Sequence, residues 1–527
     1  MQRLFLYGCL LATVALSGTA GRSLAGNALR NGGFESVNGD QVRDWSVPSY
    51  WSGRLETSTG KDAMRSGVRS AKLSAVEKDK RHWGRVLQSP WVPQLTGRRF
   101  QYAVWAKGSG EFLLGIIEYR PPEKYNPNHQ YRWQTEPVRL TAEWQQVMFD
   151  FTALDPEVRS LAVVAEVRGE DAVALLDDAE LNAYQDPDYS LTALPVHSMA
   201  TAGETVRIPI ALRHKGNPVD KGSVKILAAS PQGNAETMDL QLSAAGDASH
   251  TFTVAENTSI GIHALNVVHP ESGCVAPVYV DVVDKPTYTE FKQAASATKL
   301  KDLPAHLLFI GDSLTDQQRG YNYVDKLLFW LQSVNGDKVT ARNAGVGGDF
   351  ISRVWQRMQG DPAAYRLNMC ENLFAPKPSI VFFFLGHNDT KLSSTSEYTK
   401  HCVEPDVFEA EYRLAIQKVK QETGARIIVL SATSSVYEIC KANSDKALAA
   451  GRANSLFGKP EELEKYNAIA RRVADDLECE YLDVYEPTRT HPSKSGLFTP
   501  SDGVHLTNEG NRFIAMQILK HLAKGEG

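Results

Sequence analysis

Cysteine, excess positive charge and long apolar runs are all scarce in this 527-residue chain. Six cysteines are far too few for a scaffold built on disulfides. Lysine and arginine number 57 against 62 aspartates and glutamates, so no basic excess exists to hold phosphate backbones, and nucleic acid is not expected as a partner. No Cys-x-x-Cys or His-x-x-x-His spacing indicates zinc. Ordinary proportions of apolar and charged residues, 42% and 23%, exclude a disordered chain.

The first 25 residues differ from the rest. Arg3 gives a positive start, residues 4–16 are almost wholly apolar, and Ala20 and Ala25 each end a small-x-Ala cleavage candidate. An apolar run of about 13 residues is too short to span a bilayer, which needs about 20. The pattern predicts a cleaved signal peptide over 1–25 and a secreted or periplasmic chain with no membrane span after cleavage.

Export would make disulfides available to the remaining cysteines. Cys9 falls in the signal segment, which leaves five of the six cysteines, an odd number that allows two bridges at most. Four of the five lie in the last third of the chain. We expect Cys370 to pair with Cys402 and Cys440 to pair with Cys479.

Residues 26–185 are predicted to form a β-sandwich. Short runs rich in valine and aromatic residues recur between glycine and proline, and seven of the nine tryptophans fall here. Flat rings stack on the C–H faces of sugars, but they also fill cores. A core position is favoured for strand residues such as Trp105. Both interpretations stay open for Tyr125, Tyr131 and Trp133, which lie in an aromatic, proline-rich loop.

Two motifs bracket this segment. Asn31-Gly32-Gly33-Phe34-Glu35 opens it and Leu176-Asp177-Asp178-Ala179-Glu180-Leu181 closes it. They resemble the motifs of jelly-roll carbohydrate-binding modules. The resemblance implies a sugar-binding domain, and members often hold a structural calcium between their first and last segments. Glu35 with Asp177 or Asp178 are the matching candidates, since calcium prefers carboxylate oxygens; a solvated carboxylate is the alternative for each.

The rest of the chain divides in two. Residues 186–285 contain strand-like runs without tryptophan, which predicts a smaller, immunoglobulin-like β spacer with a structural role. From 286 to 527, strand-like runs at 306–310, 339–343 and 380–385 alternate with helical periodicity. This alternation predicts a parallel sheet with helices on both faces, in which ligands bind at the carboxyl ends of the strands.

Candidate catalytic groups follow these predicted strands. Ser313, in Gly311-Asp312-Ser313, follows the first strand, where a serine nucleophile would stand in the crevice. Gly348 follows the second strand and can turn its N–H toward a developing oxyanion, and the Asn388 amide after the third strand can add another donor. Asp502 and His505, three residues apart before the last helix, allow the carboxylate to orient the imidazole that serves the serine.

These four blocks, in this order, resemble the SGNH (GDSL) hydrolase family over about 230 residues. The resemblance implies Ser313 as nucleophile, His505 as general base and acid, and Asp502 as its orienting group. It implies an oxyanion hole formed by the N–H groups of Ser313 and Gly348 and by the Asn388 side chain. Acyl transfer of this kind needs no cofactor. Asp312 is expected to support the nucleophile turn.

Within that family, Gly386-His387-Asn388-Asp389 looks like the block of rhamnogalacturonan acetylesterases. His387 is therefore a candidate substrate-binding residue, with a packing histidine as the alternative. The favoured function is a secreted esterase that removes O-acetyl groups from a polysaccharide or oligosaccharide. A lipid or aryl esterase and a glycan-binding protein with an inactive hydrolase domain are the alternatives. Specificity is expected to lie in segments 392–406 and 442–459.

Overall fold

The computed structural model describes residues 27–524 apart from 40, 79, 91, 93–94, 121–128, 159, 299, 301 and 318–319. The predicted signal peptide with Cys9, and the candidate sugar ligand Tyr125, lie outside the described residues. None of the described helices is long and apolar enough to cross a membrane.

The N-terminal region consists of antiparallel strands. They are β1 (Val37–Asn38), β2 (Gln41–Val42), β3 (Arg54–Ser58), β4 (Ser70–Ser74), β5 (Val76–Lys78), β6 (Arg81–Gln88), β7 (Arg99–Gly108), β8 (Glu111–Tyr119), β9 (His129–Trp133), β10 (Val138–Arg139), β11 (Gln145–Thr152), β12 (Ser160–Arg168) and β13 (Val173–Tyr184). One sheet has the order β10-β8-β12-β6-β5, with β9 beside β8, and the other has the order β11-β7-β13-β4-β3. Their facing side chains form one apolar core, as in a sandwich.

Trp105 does not belong to that core. It is half-buried on β7, and the Arg65 guanidinium lies 3.9 Å from the centre of its ring. The expectation of a core position is therefore wrong for Trp105, because alternation along the strand turns this residue away from the facing sheet.

The second region is also built of β-strands. They are β14 (Tyr189–Ala193), β15 (His197–Ala200), β16 (Thr205–His214), β17 (Asn217–Pro218), β18 (Ser223–Ala229), β19 (Ala235–Gln241), β20 (Asp247–Thr253), β21 (Gly261–His269), β22 (Cys274–Ala276) and β23 (Tyr279–Val282). One sheet has the order β14-β16-β17 with β20 beside β16, and the other has the order β15-β23-β21-β18-β19 with β22 beside β21. The pair β15–β23 is parallel, and the other pairs are antiparallel.

The C-terminal region alternates helices and strands. Its helices are α1 (Lys285–Ala297), α2 (Tyr323–Asn335), α3 (Ile351–Met358), α4 (Pro405–Thr423), α5 (Tyr437–Ala449), α6 (Pro460–Asp476), α7 (Tyr485–Arg489), α8 (Lys494–Leu497) and α9 (Asn508–Lys524). Its strands are β24 (Ala305–Gly311), β25 (Val339–Asn343), β26 (Ile380–Phe384), β27 (Leu392–Ser393), β28 (Arg426–Leu430), β29 (Ser455–Leu456) and β30 (Glu480–Leu482). A parallel sheet has the order β25-β24-β26-β28-β30, and β27 pairs with β29.

Apolar side chains cover both faces of this parallel sheet. Phe309 and Phe382 pack with α1, α2 and α9 on one face, while Leu308 and Phe383 pack with α3, α4 and α6 on the other. Strands buried on both faces read as continuous apolar runs, which explains why the sequence revealed them. The predicted fold class, two β-sandwich regions followed by an α/β/α domain, is confirmed.

The expected disulfides do not form. The five cysteines in the described part of the chain are free thiols. Cys440 lies on α5 with its Sγ 3.2 Å from the Asp502 carbonyl oxygen, and the Cys479 Sγ contacts the Leu477 carbonyl oxygen at 3.5 Å. The pairing of Cys440 with Cys479 and of Cys370 with Cys402 is therefore wrong, because the fold directs these thiols to separate surroundings.

Candidate active site

Three neighbouring strands bring the predicted catalytic blocks together. β25, β24 and β26 are adjacent and parallel, so their carboxyl ends meet at one edge of the sheet. Ser313 follows β24, Gly348 follows β25 and Asn388 follows β26. All three residues line one cavity of about 510 Å³. The position of this cavity agrees with the rule that ligands bind at the carboxyl edge of such sheets.

Ser313, His505 and Asp502 form a hydrogen-bonded relay at this edge. His505 Nε2 lies 2.9 Å from Ser313 Oγ, and His505 Nδ1 lies 3.0 Å from Asp502 Oδ2. The loop that carries Asp502 and His505 lies between α8 and α9, 192 positions from the serine along the chain. The arrangement has the geometry of a nucleophile, a general base and an orienting carboxylate.

The Asp502 carboxylate is fixed in its ionised form. Its Oδ1 accepts hydrogen bonds from the backbone N–H groups of Val504 and His505, both at 2.8 Å. Burial raises the pKa of Asp502, but the hydrogen bonds from the His505 side chain and backbone outweigh burial and hold the pKa well below its usual range. Asp502 therefore stays charged beside the His505 ring.

Asp312 supports both the serine turn and the candidate oxyanion donor. Its Oδ1 accepts the Leu314 N–H at 2.9 Å, and its Oδ2 accepts the Asn388 Nδ2 donor at 3.4 Å. Asp312 is buried, and burial, only partly offset by these hydrogen bonds and by His505, raises its pKa to about 6. The residue thus holds the Asn388 amide in place beside the serine.

The loop around Gly348 is held in a conformation that favours glycine. Gly348 has φ of +80°, and a Cβ there would meet nothing within 4 Å, so the backbone angle and not space requires glycine. Asp316 accepts the Gly347 N–H at 2.8 Å, and the buried Asp349 pairs with Arg357. The first contact holds the loop against the turn that carries the serine, and the second holds the loop against α3.

His387 lies in the cavity wall and is only 2% exposed. Its Nε2 is 2.8 Å from Thr433 Oγ1, while its Nδ1 has no hydrogen-bond partner. Burial, with a smaller contribution from His505, lowers the pKa of His387 to about 4. His387 is therefore neutral near pH 7. Its Nδ1 is buried in the cavity wall without a hydrogen-bond partner, and its contact with a substrate stays a prediction.

One wall of the cavity is formed by a segment of the chain that has no recognisable motif. It includes Asn443 and Ser444 of α5, Asn454, Ser455 of β29, and Phe457. These residues fall in segment 442–459, where we expected specificity to lie. Ser444 donates to Asn454 at 2.6 Å, and Tyr398 bonds both. This network forms a polar wall of the cavity that Ser313 also lines.

The N-terminal sandwich carries a separate aromatic surface on the sheet that contains β6, β8, β9 and β12. Tyr131 and Trp133 of β9 lie with parallel rings, 6.2 Å between centroids and 8° between planes. Arg85 of β6 lies over the rings of Trp83, Trp133 and Trp51 at 4.1, 5.2 and 5.7 Å. We call these five residues the aromatic face.

The floor of the aromatic face is apolar. Ile117, Ala162 and Val164 are fully buried beneath the rings, on the side of the sheet away from the sandwich core. Glu166, which is also buried, pairs with Arg85 and fixes its guanidinium. Trp51, Trp83, Arg85 and Glu166 were not predicted. Only the alternation of the strands, combined with their pairing, could have placed them on one face.

The candidate calcium ligands all hold one segment, residues 65–68. Glu35 Oε1 and Asp177 Oδ2 accept backbone N–H groups of this segment at 2.9–3.1 Å, and Asp178 pairs with the Arg65 guanidinium. Glu35 Oε2 is buried without a hydrogen-bond partner. Among the described residues, no group of three or more histidine, cysteine, aspartate or glutamate side chains could hold a metal. The fit to calcium therefore rests on Glu35 Oε2.

Residues 309–513 match the model of the GDSL-like Lipase/Acylhydrolase family. The matched segment contains Ser313, Gly348, Asn388, Asp502 and His505. The C-terminal region is therefore a GDSL-like lipase/acylhydrolase domain, and the chain is a carboxylic ester hydrolase. No curated protein matches the chain.

Several solved structures are similar to parts of the chain. A lipase/acylhydrolase from Enterococcus faecalis is 16% identical and covers 42% of this chain and 96% of its own, with a TM-score of 0.32. A putative GDSL-like lipase from Parabacteroides merdae is 15% identical and covers 44% and 99%, with a TM-score of 0.33. The CBM22-1 xylan-binding domain from Paenibacillus barcinonensis Xyn10C is 15% identical and covers 32% and 97%, with a TM-score of 0.24.

Proposed function

We propose that this ester hydrolase is a secreted serine esterase that removes O-acetyl groups from a polysaccharide or oligosaccharide. The observation that carries the esterase chemistry is the relay from Ser313 through His505 to Asp502, at 2.9 and 3.0 Å, on a cavity that also exposes the candidate oxyanion donors. The sugar substrate is supported by the polar wall of that cavity and by the aromatic face.

The first chemical step forms an acyl-enzyme. His505 Nε2 takes the proton of Ser313 Oγ while the oxygen attacks the acetyl carbonyl carbon. The N–H groups of Ser313 and Gly348 and the Asn388 Nδ2 would donate to the oxyanion of the tetrahedral intermediate. His505 then gives its proton to the departing sugar oxygen, and the acetyl group stays on Ser313.

The second step releases acetate. A water molecule enters in place of the sugar hydroxyl, His505 takes one of its protons, and the resulting hydroxide attacks the acetyl-serine carbonyl. The tetrahedral intermediate collapses, the Ser313 Oγ regains the proton from His505, and acetic acid leaves and ionises to acetate in solvent. Throughout both steps Asp502 remains ionised and keeps the His505 ring in position.

The polar wall favours a sugar over a lipid tail. Asn443, Ser444 and Asn454 line the same cavity as the serine, and Lys391 also lines it. Amide and hydroxyl groups of this kind can form further hydrogen bonds with sugar hydroxyls, which a long acyl chain does not offer. The neutral His387 adds another group that can bond the substrate.

The aromatic face would hold the polymer. The rings of Tyr131 and Trp133 offer apolar surface for the C–H faces of sugars, and Arg85, held by the buried Glu166, supplies a charged group beside them. Binding of the chain at this face would raise the local concentration of acetyl groups near Ser313, as expected for two linked binding modules.

A structural calcium in the sandwich is proposed on narrower grounds. Glu35 Oε2 is a buried, unpartnered oxygen, and Asp177 approaches from the other end of the region. Calcium would bind these oxygens with backbone carbonyls. Addition of calcium to protein treated with EDTA should raise the melting temperature of the parent and not of Glu35→Gln. Equal melting temperatures of the parent with and without calcium would overturn the proposal of a calcium site.

The decisive experiment measures acetate release from acetylated polysaccharides, including xylan and pectin types, by the mature protein and by Ser313→Ala. Release by the parent alone supports a carbohydrate esterase and identifies its polymer. Activity restricted to aryl or longer acyl esters favours the lipid or aryl esterase. Retention of polysaccharide without hydrolysis of any ester favours a glycan-binding protein. N-terminal sequencing of the protein from medium or periplasm tests the predicted cleavage and export.

A further inference from the structure

A second cavity adjoins the catalytic pair on the side that faces the second β region. It has a volume of about 260 Å³ and is lined by Ser313 and His505, which also line the first cavity. Its other walls include Tyr321, Asn322 and Ile262. Ile262 belongs to β21 of the second β region, so this cavity is closed by a domain that the sequence indicated only as a spacer.

Aromatic contacts hold the wall of this cavity in place. The Tyr321 ring lies 5.7 Å from the ring of Tyr279 on β23 and 4.8 Å from the ring of His197 on β15. The Lys326 ammonium lies 3.9 Å from the centre of the Tyr321 ring on the remaining side. Tyr321 is thus clamped between the hydrolase domain and the second β region.

A buried charge cluster joins the same two regions. Asp281 of β23 is wholly buried and bonds Lys326 Nζ at 2.7 Å, Arg512 Nε at 3.0 Å and Asn508 Nδ2 at 2.9 Å. Arg512 and Asn508 lie in the first turns of α9, which begins three residues after His505. The loop that carries the general base is therefore anchored to the second β region, and the wall at Ile262 has a fixed position relative to Ser313.

We propose that the second cavity is a sugar subsite on the alcohol side of the ester, with Ile262 and Tyr321 as its specificity-determining wall. This inference rests on the proposed function. The departing sugar oxygen takes a proton from His505 Nε2, so it must lie near that atom. His505 lines the second cavity, which is therefore in reach of the sugar. Gly348 and Asn388 line the first cavity, which places the acetyl oxygen there.

The chemistry of the wall suits a pyranose ring. The Ile262 side chain offers apolar surface for the C–H face of the sugar, and the clamped Tyr321 forms the wall beside it, while the polar residues Asn322 and Thr499 also line the cavity. The second β region would therefore select the sugar unit that carries the acetylated hydroxyl, or the sugar unit next to it.

The test compares two isoleucines that lie two positions apart. Ile262→Trp fills the cavity, and Ile260→Trp is its matched control because Ile260 is 58% exposed just before β21. For each variant, kcat/KM is measured on acetylated xylan and rhamnogalacturonan oligosaccharides and on p-nitrophenyl acetate. We expect Ile262→Trp to lower the ratio of the sugar-ester value to the aryl-ester value by about tenfold, the scale of one apolar subsite contact. Ile260→Trp should keep the ratio of the parent.

Thermal melting shows which variants fold, and Ile262→Ala replaces Ile262→Trp if the larger side chain unfolds the domain. An unchanged ratio in a folded Ile262 variant overturns the subsite while the carbohydrate esterase stands. Hydrolysis of p-nitrophenyl acetate without hydrolysis of any sugar ester by the parent overturns both the proposed substrate and the subsite. A loss confined to the Ile262 variants, in the presence of sugar-esterase activity, supports the inference.

Discussion

The catalytic centre and the aromatic face are built in opposite ways. Each catalytic residue follows the end of a strand or precedes a helix within a short contiguous block, and the blocks meet because the sheet is parallel. The aromatic face is gathered from β6, β9 and a loop, one side chain at a time, across antiparallel strands. The first site can therefore be recognised from the sequence, whereas the second can be recognised only when the pairing of the strands is known.

The register of one strand pair shows what the aromatic face depends on. Trp133 of β9 lies directly opposite Gly115 of β8. A Cβ at position 115 would lie 2.5 Å from the Trp133 ring, so the ring can cross the neighbouring strand only because a glycine is there. A shift of one residue would send every ring on β9 to the other face. The blocks that follow the parallel strands do not depend on register in this way, since the carboxyl ends of all parallel strands lie at the same edge of the sheet.

Ser313→Ala is expected to have the largest effect, because it should abolish hydrolysis and leave polysaccharide binding unchanged. Removal of the nucleophile should lower kcat/KM for acetate release by about 10⁴-fold or more, because the His505 and Asp502 pair has nothing left to activate. Retention of the variant on the polysaccharide should equal that of the parent. Loss of retention as well would show that the aromatic face is not an independent binding site.

Within the catalytic centre, Asn388→Ala should lower kcat by about 10²–10³-fold, the usual loss when one oxyanion donor is removed. KM should change little, since the donor acts mainly on the charge that develops in the transition state. Steady-state kinetics on p-nitrophenyl acetate measures both constants. A raised KM with unchanged kcat would assign Asn388 to substrate binding instead.

On the sandwich side, Trp133→Ala should weaken polysaccharide binding by about tenfold or more, since truncation of a central tryptophan commonly costs about 2 kcal/mol. Trp144→Ala is the matched control, because Trp144 lies before β11 on the other sheet, beside Lys107. Affinity electrophoresis or calorimetry compares the two. Equal weakening by both variants would contradict a specific role for the aromatic face.

The smallest expected effect concerns Asp389, next to the oxyanion donor. Burial raises its pKa to about 7, against about 3.9 in an unfolded chain. A raised folded pKa contributes stability that is present below pH about 4 and is lost as the pH rises through about 7. As the pH rises from 5 to 8, the melting temperature of the parent should therefore fall relative to that of Asp389→Asn.

The exposed Asp337→Asn serves as the control for this comparison and should run parallel to the parent across the pH range. Parallel curves for Asp389→Asn as well would mean that Asp389 is ionised throughout, and that its buried Oδ2 has a partner which the described contacts do not include.

Prediction from the sequence succeeded where local pattern sets structure. The strand 339–343 was predicted with the bounds that the structure shows, because a short strand-like run and the glycines that follow it mark its position. Helix α5 was missed, since its buried residues are Cys440 and Ser444 and its sequence has little apolar periodicity. The polar wall of the cavity was therefore predicted only as part of segment 442–459, without the helix that carries Asn443 and Ser444.

The sequence by itself determined the fold class and the chemistry of the hydrolase domain, because doubly buried strands and strand-end blocks are local features of the chain. Only the tertiary structure decided which tryptophans share a face, that the cysteines stay apart, and that Ile262 of a distant region stands beside His505. Those relations depend on strand register and on the docking of one domain against another, and both are set by packing between residues far apart in the chain.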